Sequence, residues 1–590
     1  MALTANQLEQ QKKQAEELLF SGPESLGFAD SLFFGRFRSD LIFPYPKLSN
    51  EEQQICTRAV EQVRKFADEK IDARAIDQQA DIPEEVIRGL AELGILGMTA
   101  PIELGGKGFN QSQYCQVMEV IGGHCASTAV FVNAHHSIGI RALLLFGTEE
   151  QKKKWLPDLI HARKLAAFAL TEPMAGSDAG NVQTNAIPTE DGKAFLLTGE
   201  KRYITNGGIA GVLTVMARTP SPKNPKETKV TAFLVTPDMP GFEVVEVRAE
   251  KCGIRGTATG RLRFTNMRVP RENILGPEGK GLKVALTVLD FGRTTFGASC
   301  TGVAKFCIQA ASKHALHRVQ FQQTLSEFEL VKKKIAFMSA HAFAMEATTR
   351  QCAAFIDRGA EDYKLETAIL KVFATEHLWT IVNDTIQIFG GQAYFNNEPY
   401  ERLMRDARIN TIGEGANDVL KAFIAVVGCR GPGMYLDRLR KSMPKLLAFG
   451  FGFLIRSITP IGLPKIPLQS PELHEYGHRL ALAIKKLNRI LPWVFLKAKT
   501  EERFIQSQHQ HERLANICID LYTSSCALSR LDHEIQKKSD SPAVQAEILA
   551  GKHFLELAND RIKQNFQFLF NQNDDLTNET ADATLKLFQA

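Results

Sequence analysis

No CxxC pair occurs among the ten cysteines of this 590-residue sequence, and no Cys/His cluster has the spacing of a zinc site. Metal-stapled small-domain classes are therefore excluded, and scattered free thiols fit a reducing compartment. Charge of one sign is not in excess. The net charge of +5 is small for this length and gives no basis for nucleic-acid binding. Long apolar runs are also lacking: residues 446–455 form a charge-free apolar stretch of about ten residues, where a membrane span needs roughly 20. Residues 1–20 carry Lys12 and Lys13 among Glu9, Glu16 and Glu17. They lack both the apolar centre of a signal peptide and the acid-poor, Arg-rich bias of a transit peptide. No repeat of fixed period is visible. What is present is an ordinary globular composition, 44% apolar and 23% charged, on a chain long enough for several domains.

Residues 1–47 read as an N-terminal extension ending in Phe43-Pro44-Tyr45-Pro46. Ser49 and Glu52 then form a capping-box pattern, and Ile55, Ala59, Val63 and Phe66 follow at helical spacing. A second helix starts at Asp81-Ile82-Pro83 and stops at Gly94, with Val86, Leu90 and Leu93 on one face. Helical patterning over 48–160 predicts an N-terminal helical domain. Over 161–277, Gly, Pro, Asn and Asp become frequent. Strand-like runs appear at 194–198, 212–217, 230–235 and 262–264, which predicts a β domain. The helical period returns over 278–430. Gly431-Pro432-Gly433 is expected to break that helix and open a proline-punctuated linker over 431–471. A last helical domain over 472–590 carries Leu480, Ile484, Leu487 and Leu491 on one stripe and Leu514, Ile517 and Leu521 on another. The fold class expected is α+β, mostly α.

Three segments carry chemistry. The loop Leu170-Thr171-Glu172-Pro173-Met174-Ala175-Gly176-Ser177-Asp178-Ala179-Gly180 offers hydroxyls and small residues that let backbone N–H groups approach a ligand; alone, it reads equally well as a polar loop. The run Gly199-Glu200-Lys201-Arg202-Tyr203-Ile204-Thr205-Asn206-Gly207-Gly208 has an aromatic, a hydroxyl and a Gly pair suited to a flat ring, although hairpins share that composition. In Ile412-Gly413-Glu414-Gly415-Ala416-Asn417-Asp418 one carboxylate lies between two glycines. It can reach into a cavity, or simply favour a helix entry through the macrodipole. His135 and His136 are expected to be packed or cofactor-edge residues rather than metal ligands, Lys332, Lys333 and Lys334 to form a solvated helix face, and Cys252 and Cys300 to be small apolar fillers.

Taken in order, these segments, with Glu103-Leu104-Gly105-Gly106, Arg318-Val319-Gln320-Phe321, Gln387-Ile388-Phe389-Gly390-Gly391 and Leu403-Met404-Arg405-Asp406-Ala407-Arg408-Ile409, resemble the acyl-CoA dehydrogenase family over about residues 43–430. The C-terminal region and the lead-in Phe43-Pro44-Tyr45-Pro46 resemble its very-long-chain branch. The resemblance implies an N-terminal helical domain, a β domain and a four-helix bundle holding FAD. It implies cofactor contacts from Phe168, Leu170, Thr171, Ser177, Tyr203, Ile204 and Thr205. Arg318, Phe321, Gln387 and Gly391 match residues that reach a neighbouring subunit's cofactor, and Ala416, Asn417 and Asp418 match its adenine contacts. Ser177, Asp290, Arg293 and Gly415 match substrate contacts, and Glu414 matches the catalytic base. No metal is implied.

The reaction so implied removes the α proton of an acyl-CoA thioester to Glu414 and a hydride from the β carbon to the flavin, giving a trans-2-enoyl thioester. The thioester carbonyl is polarised by a flavin ribityl hydroxyl and the Glu414 backbone N–H. Electrons pass to an electron-transferring flavoprotein in fatty acid β-oxidation. The alternatives are an acyl-CoA oxidase of the same fold, or a flavin-binding assembly or scaffold protein with vestigial activity. Three departures stand out: Gly413 precedes the base where relatives carry an aromatic, Ala416 replaces a Thr, and Gln322 replaces a Gly. The branch further implies a homodimer. Residues 446–455, apolar and aromatic with Lys441, Lys445 and Arg456 as flanks, suit either a peripheral membrane contact in a bilayer interface or packing in a groove on the added C-terminal domain. The location expected is cytoplasmic in a prokaryote, or the matrix side of the inner mitochondrial membrane in a eukaryote.

Overall fold

Ser49 caps the first long helix, Asn50–Lys70, through the reciprocal bonds of a capping box with Glu52. The computed structural model describes residues 26–221, 224, 227–440, 462–570 and 573–589; residues 1–20 and the apolar run 446–455 lie outside the described residues. The chain divides into two units. One takes residues 47–360 and 374–416; the other takes the described residues up to 46, residues 361–373 and the chain from 417 onward.

In the first unit, helices Asn50–Lys70, Glu84–Glu92 and Gln111–His124 bury Val63, Val86, Leu90, Met118 and Ile121 in a shared core. A continuous helical run follows, Ala126–Val132, then a π-helical segment Asn133–Ile140, then Arg141–Phe146. This run is apolar and long enough to cross a membrane by length and composition, longer than the stretch at 446–455, but 67% of it is buried inside the protein. It is a core helix carrying buried polar residues: Asn133, His135, His136 and Ser137.

The sheet comes next. Strands β1 (Ala166–Ala169), β2 (Asn185–Pro188), β3 (Ala194–Thr205), β4 (Val212–Pro220), β5 (Thr228–Val235), β6 (Phe242–Glu246), β7 (Thr259–Pro270) and β8 (Ile274–Leu275) are arranged β6-β7-β3-β2-β4-β5-β8, with β1 parallel to β4. Every strand-like run seen in the sequence falls in one of these strands. The run from Gly199 to Thr205 forms the C-terminal end of β3, with Gly207 and Gly208 in the turn that follows, and register shifts against β7 mark bulges there. Bulges let the strand continue while re-aiming single side chains. Helices Gly281–His317 and Glu329–Asp357 follow. The order of helices, sheet and helices is the α+β, mostly helical class that the periodicity indicates.

The second unit corrects two expectations. Residues 26–46 are not a free extension but part of its core. Phe28 and Phe33 are fully buried, the Phe28 ring centroid is 5.8 Å from that of Tyr522, Asn488 donates to the Phe33 carbonyl at 3.0 Å, and Ser529 donates to that of Ile42 at 2.7 Å. Gly431-Pro432-Gly433 does not end the helix either, which runs Asn417–Arg440 with Pro432 inside it. The reason is tertiary. Side chains at 428 and 431 would collide with the rings of Phe33 and Phe34, so the glycines serve close packing, which offsets the ~3 kcal/mol that an interior proline costs. Helices His474–Ala498, Gln508–Gln536 and Pro542–Phe568 complete the unit. Both stripes read from the sequence, Leu480 to Leu491 and Leu514 to Leu521, are buried in it.

Candidate active site

Helix Tyr400–Arg408 and the turn Ile409–Thr411 lead into Glu414, whose φ of +56° puts it in the left-handed region, followed by Gly415 at φ +100°. A non-glycine residue held there costs on the order of 1 kcal/mol or more, so the surroundings must fix it. Glu414 precedes the next helix by three residues and is turned toward the π-helical segment, not set as a helix-entry acid. Asn133 Nδ2 donates to Glu414 Oε1 at 2.7 Å. Thr295, in helix Gly281–His317, donates to Asn133 Oδ1 at 2.5 Å, and its oxygen is 3.2 Å from Ser137 Oγ, itself 3.1 Å from Tyr114 OH. A Cβ on Gly292 would come within 3.1 Å of Glu414 Oε2. The carboxylate is thus seated between an amide and a glycine.

The helix that carries this turn is anchored by the Arg405-Asp406 pair. Arg405 reaches both oxygens of Asp77 at 2.9 and 2.7 Å and also bonds Glu401 and the Cys252 carbonyl. Asp406 accepts from Ile254 N at 2.5 Å, and burial pushes its carboxyl up to about 6. This motif therefore acts as a clamp on the segment that delivers Glu414.

Two further segments are brought together by an ion pair that sequence reasoning missed. Lys201 of β3 is fully buried and its Nζ lies 2.6 Å from Glu172 Oε1, itself 2% exposed. Lys201 also donates to the Leu170 carbonyl at 3.1 Å, and Arg202 N to that of Thr171 at 3.0 Å. Glu172 accepts from Thr184 Oγ1 at 2.6 Å, from Thr184 N at 3.1 Å and from Gln183 N. Burial lowers Lys201 to about 8 against the pull of Glu172. Burial pushes the Glu172 carboxyl up, but Lys201 and the hydrogen bonds together leave it below its usual value. Nothing in the sequence singled the pair out, because Glu172 shares its motif with Asp178 and Lys201 lies between Glu200 and Arg202.

Around this pair the surface is open. Tyr203 has φ +59° and is 63% exposed, Ser177 is exposed, Phe168, Leu170, Thr171 and Thr205 are half-buried, and Ile204 is buried. A side chain at Gly176 would meet nothing within 4 Å. An exposed aromatic beside hydroxyls and an open glycine loop fits a large flat cofactor.

Elsewhere, Arg318, Gln387 and Gly391 are exposed, and Phe321 is 88% exposed on the tip of a hairpin. Phe321 and Gln322 both have positive φ there. Arg293 and Asp290 pair at 3.0 Å, and Arg293 Nε is buried with no partner among the described residues. Ala416 is half-buried and Asp418 exposed, while Asn417 is buried and accepts from Lys371 at 2.8 Å. His135 and His136 are packed: His135 bonds Leu159 O and Ala166 N, and His136 bonds Thr99. Burial lowers both imidazoles. Cys252 is exposed, not a filler, whereas Cys300 is buried. Lys334 is not simply solvated, because Asp384 pairs with it across the helices.

Four family models match in chain order: "Acyl-CoA dehydrogenase, N-terminal domain" over residues 50–163, the middle domain over 167–267, the C-terminal domain over 279–428, and "ACAD9/ACADV, C-terminal domain" over 471–586. The very long-chain specific mitochondrial acyl-CoA dehydrogenase of Homo sapiens is 36% identical over 526 residues, covering 87% of this chain and 80% of that one. An acyl-CoA dehydrogenase complexed with FAD from Bacillus anthracis superposes with a TM-score of 0.78 at 26% identity, covering 95% of each chain. A chain from the structure of the electron transferring flavoprotein of Acidaminococcus fermentans gives 0.60 at 31% identity, covering 64% of this chain and 97% of its own.

Proposed function

The chain belongs to the acyl-CoA dehydrogenase family, and from that premise we propose that it dehydrogenates long or very-long-chain acyl-CoA to trans-2-enoyl-CoA in β-oxidation, with Glu414 as the base. The observation that carries the reading is the Glu414 turn: a carboxylate held in a left-handed conformation and gripped by an amide. Chain length is argued from the match of residues 471–586 and from the human relative.

The residues that would hold FAD are Phe168, Leu170, Thr171, Ser177, Tyr203, Ile204 and Thr205, with Ala416, Asn417 and Asp418 toward its adenine half. The exposed hairpin around Arg318 and Phe321, with Gln387 and Gly391, would serve the cofactor of the second protomer in a homodimer. When bound, FAD supplies the acceptor for the hydride that leaves the β carbon. This chain's own work is to bind the thioester, with Ser177, Asp290, Arg293 and Gly415 as its contacts, to exclude water, and to take the α proton onto Glu414. The backbone N–H of Glu414 aimed at the thioester oxygen would stabilise the developing enolate by several kcal/mol. Desolvation by the acyl chain would strengthen the carboxylate as a base. The electron acceptor proposed is an electron-transferring flavoprotein, in line with the Acidaminococcus likeness.

The test is anaerobic mixing of the purified flavoprotein with a series of acyl-CoA thioesters, following loss of flavin absorbance. Bleaching that is fastest with long chains is expected. A flavoprotein that no acyl-CoA reduces would overturn the reading in favour of a scaffold. Rapid reoxidation by oxygen, without electron-transferring flavoprotein, would favour the oxidase.

A further inference from the structure

A buried asparagine in the middle of an apolar helix calls for an explanation, since an amide buried without partners costs free energy. Asn133 is 5% exposed and sits at the first residue of the π-helical segment Asn133–Ile140. The insertion that makes a π turn shifts side chains out of helical register, and such turns concentrate at functional sites. Both ends of the Asn133 amide are used. Oδ1 accepts from Thr295 at 2.5 Å and Nδ2 donates to Glu414 Oε1 at 2.7 Å. The orientation is set by chemistry: an ionised carboxylate only accepts, so the amide must turn its nitrogen to Glu414 and its oxygen to the hydroxyl. Thr295 is itself fixed, with its oxygen 3.0 Å from the Gly292 carbonyl and 3.2 Å from Ser137 Oγ. Gly292 closes the other side, because a Cβ there would meet Glu414 Oε2. Two helices thus converge on a single carboxylate that stands on a turn of its own.

We infer that Asn133 is a positioning residue for Glu414, oriented by Thr295, and that the pair holds the carboxylate in its proton-accepting pose. The inference rests on Glu414 being the base. It adds that a neutral donor was selected at this point. A cation would bind the carboxylate more strongly but would weaken it as a base, whereas an amide fixes the geometry and favours the ionised form only modestly. The turn at Glu414 has positive φ at two successive residues, and the Asn133 amide bonds its carboxylate from outside that turn.

The experiment measures the pH dependence of anaerobic flavin reduction by a saturating long-chain acyl-CoA, for the wild type and for N133L, T295V and T295S, each checked for flavin content and thermal midpoint. Leu keeps the shape of Asn and removes the donor. Loss of a hydrogen bond to a charged group predicts a reduction rate slower by roughly 10- to 100-fold, with the acyl-CoA concentration for half-maximal rate little changed. Its acid limb should move to higher pH by about one unit. T295V should shift the limb in the same direction by less, T295S should restore it, and N133L/T295V should be no slower than N133L, because the two act through one bond. Should N133L not fold, T295V and its rescue by T295S decide. An unmoved acid limb in the folded variants, or additive losses in the double variant, would overturn the inference. E414Q is run alongside: if it still reduces its flavin, the assignment of the base fails, whatever Asn133 does.

Discussion

Glu172 and Glu414 lie in the same unit of the protein, and each has a short bond to its carboxylate, yet they are built in opposite ways. Glu172 is saturated: a buried ammonium at 2.6 Å, a hydroxyl and two backbone N–H groups converge on it. Such a carboxylate cannot take a proton without leaving Lys201 unpaired. Glu414 Oε1 accepts from an amide of the π-helical segment, and a Cβ at Gly292 would come within 3.1 Å of its Oε2. The contrast lies in the donors: a buried ammonium bonds the Glu172 carboxylate, whereas Glu414 Oε1 accepts from a neutral amide.

Removing the lock should have the larger effect on stability. K201M leaves the Glu172 charge buried without its counter-ion, and breaking a buried pair in this way costs about 3–5 kcal/mol. The thermal midpoint should fall, and because Lys201 also ties the 170–177 loop to β3, flavin content should fall with it. The double variant E172Q/K201M should recover most of the midpoint. Full stability of K201M alone would mean that the pair is not what holds the loop.

Proton linkage separates the two kinds of acid further. Glu172 is held below its usual value, so its stabilisation is complete above the unfolded carboxylate value and is lost as pH falls through the folded one. The second unit contains the reverse case. Burial, then the charge of Asp362, raises Asp30 to about 7. Burial also raises Glu366 to about 8, although it accepts from Ala29 N at 2.8 Å. Their contribution is complete below the unfolded value of about 4 and is lost as pH rises through about 7 to 8. Melting followed between pH 5 and 9 should therefore show a decline that the D30N/E366Q variant flattens. An identical slope in that variant would place the pH dependence elsewhere.

The smallest stability effect is expected where Glu414 is held. G292A would place a methyl within 3.1 Å of its carboxyl. The atoms met, Glu414 Oε2 and Ile138 Cγ1 and Cδ1, are all side-chain atoms, so the cost should be about 1 kcal/mol, the low end for overpacking. Flavin reduction should nonetheless slow, since the carboxylate must move. A midpoint that drops sharply would show that Gly292 is needed for packing instead.

Much of this was legible in the sequence, and the reasons differ by residue. Leu480 to Leu491 and the strand at 262–264 obey periodicity, which the backbone enforces locally, and they fall where it puts them. The Glu414-Gly415 pair, which alone reads as readily as a helix-entry acid, stood out only as the last of several motifs in the family's order. Pro432 misled because helix continuation depends on Phe33 and Phe34, some 400 residues distant in sequence. Lys201 and Glu172 carried no signal as a pair, since nothing local says that two chain segments bury them together. Asn133 was invisible for the same reason: a single polar residue in Val130-Phe131-Val132-Asn133-Ala134 acquires meaning only when Glu414, 281 residues later, is folded against it.

Glu414 itself is tested most directly by E414Q under anaerobic conditions. Gln keeps the size and the polar end of the side chain and removes only the basicity. The variant should be a yellow, folded protein with full flavin content whose reduction by long-chain acyl-CoA is slowed by roughly 100- to 10,000-fold, the range for loss of a general base. Reduction at a rate near that of the wild type would contradict the role of Glu414 as the base.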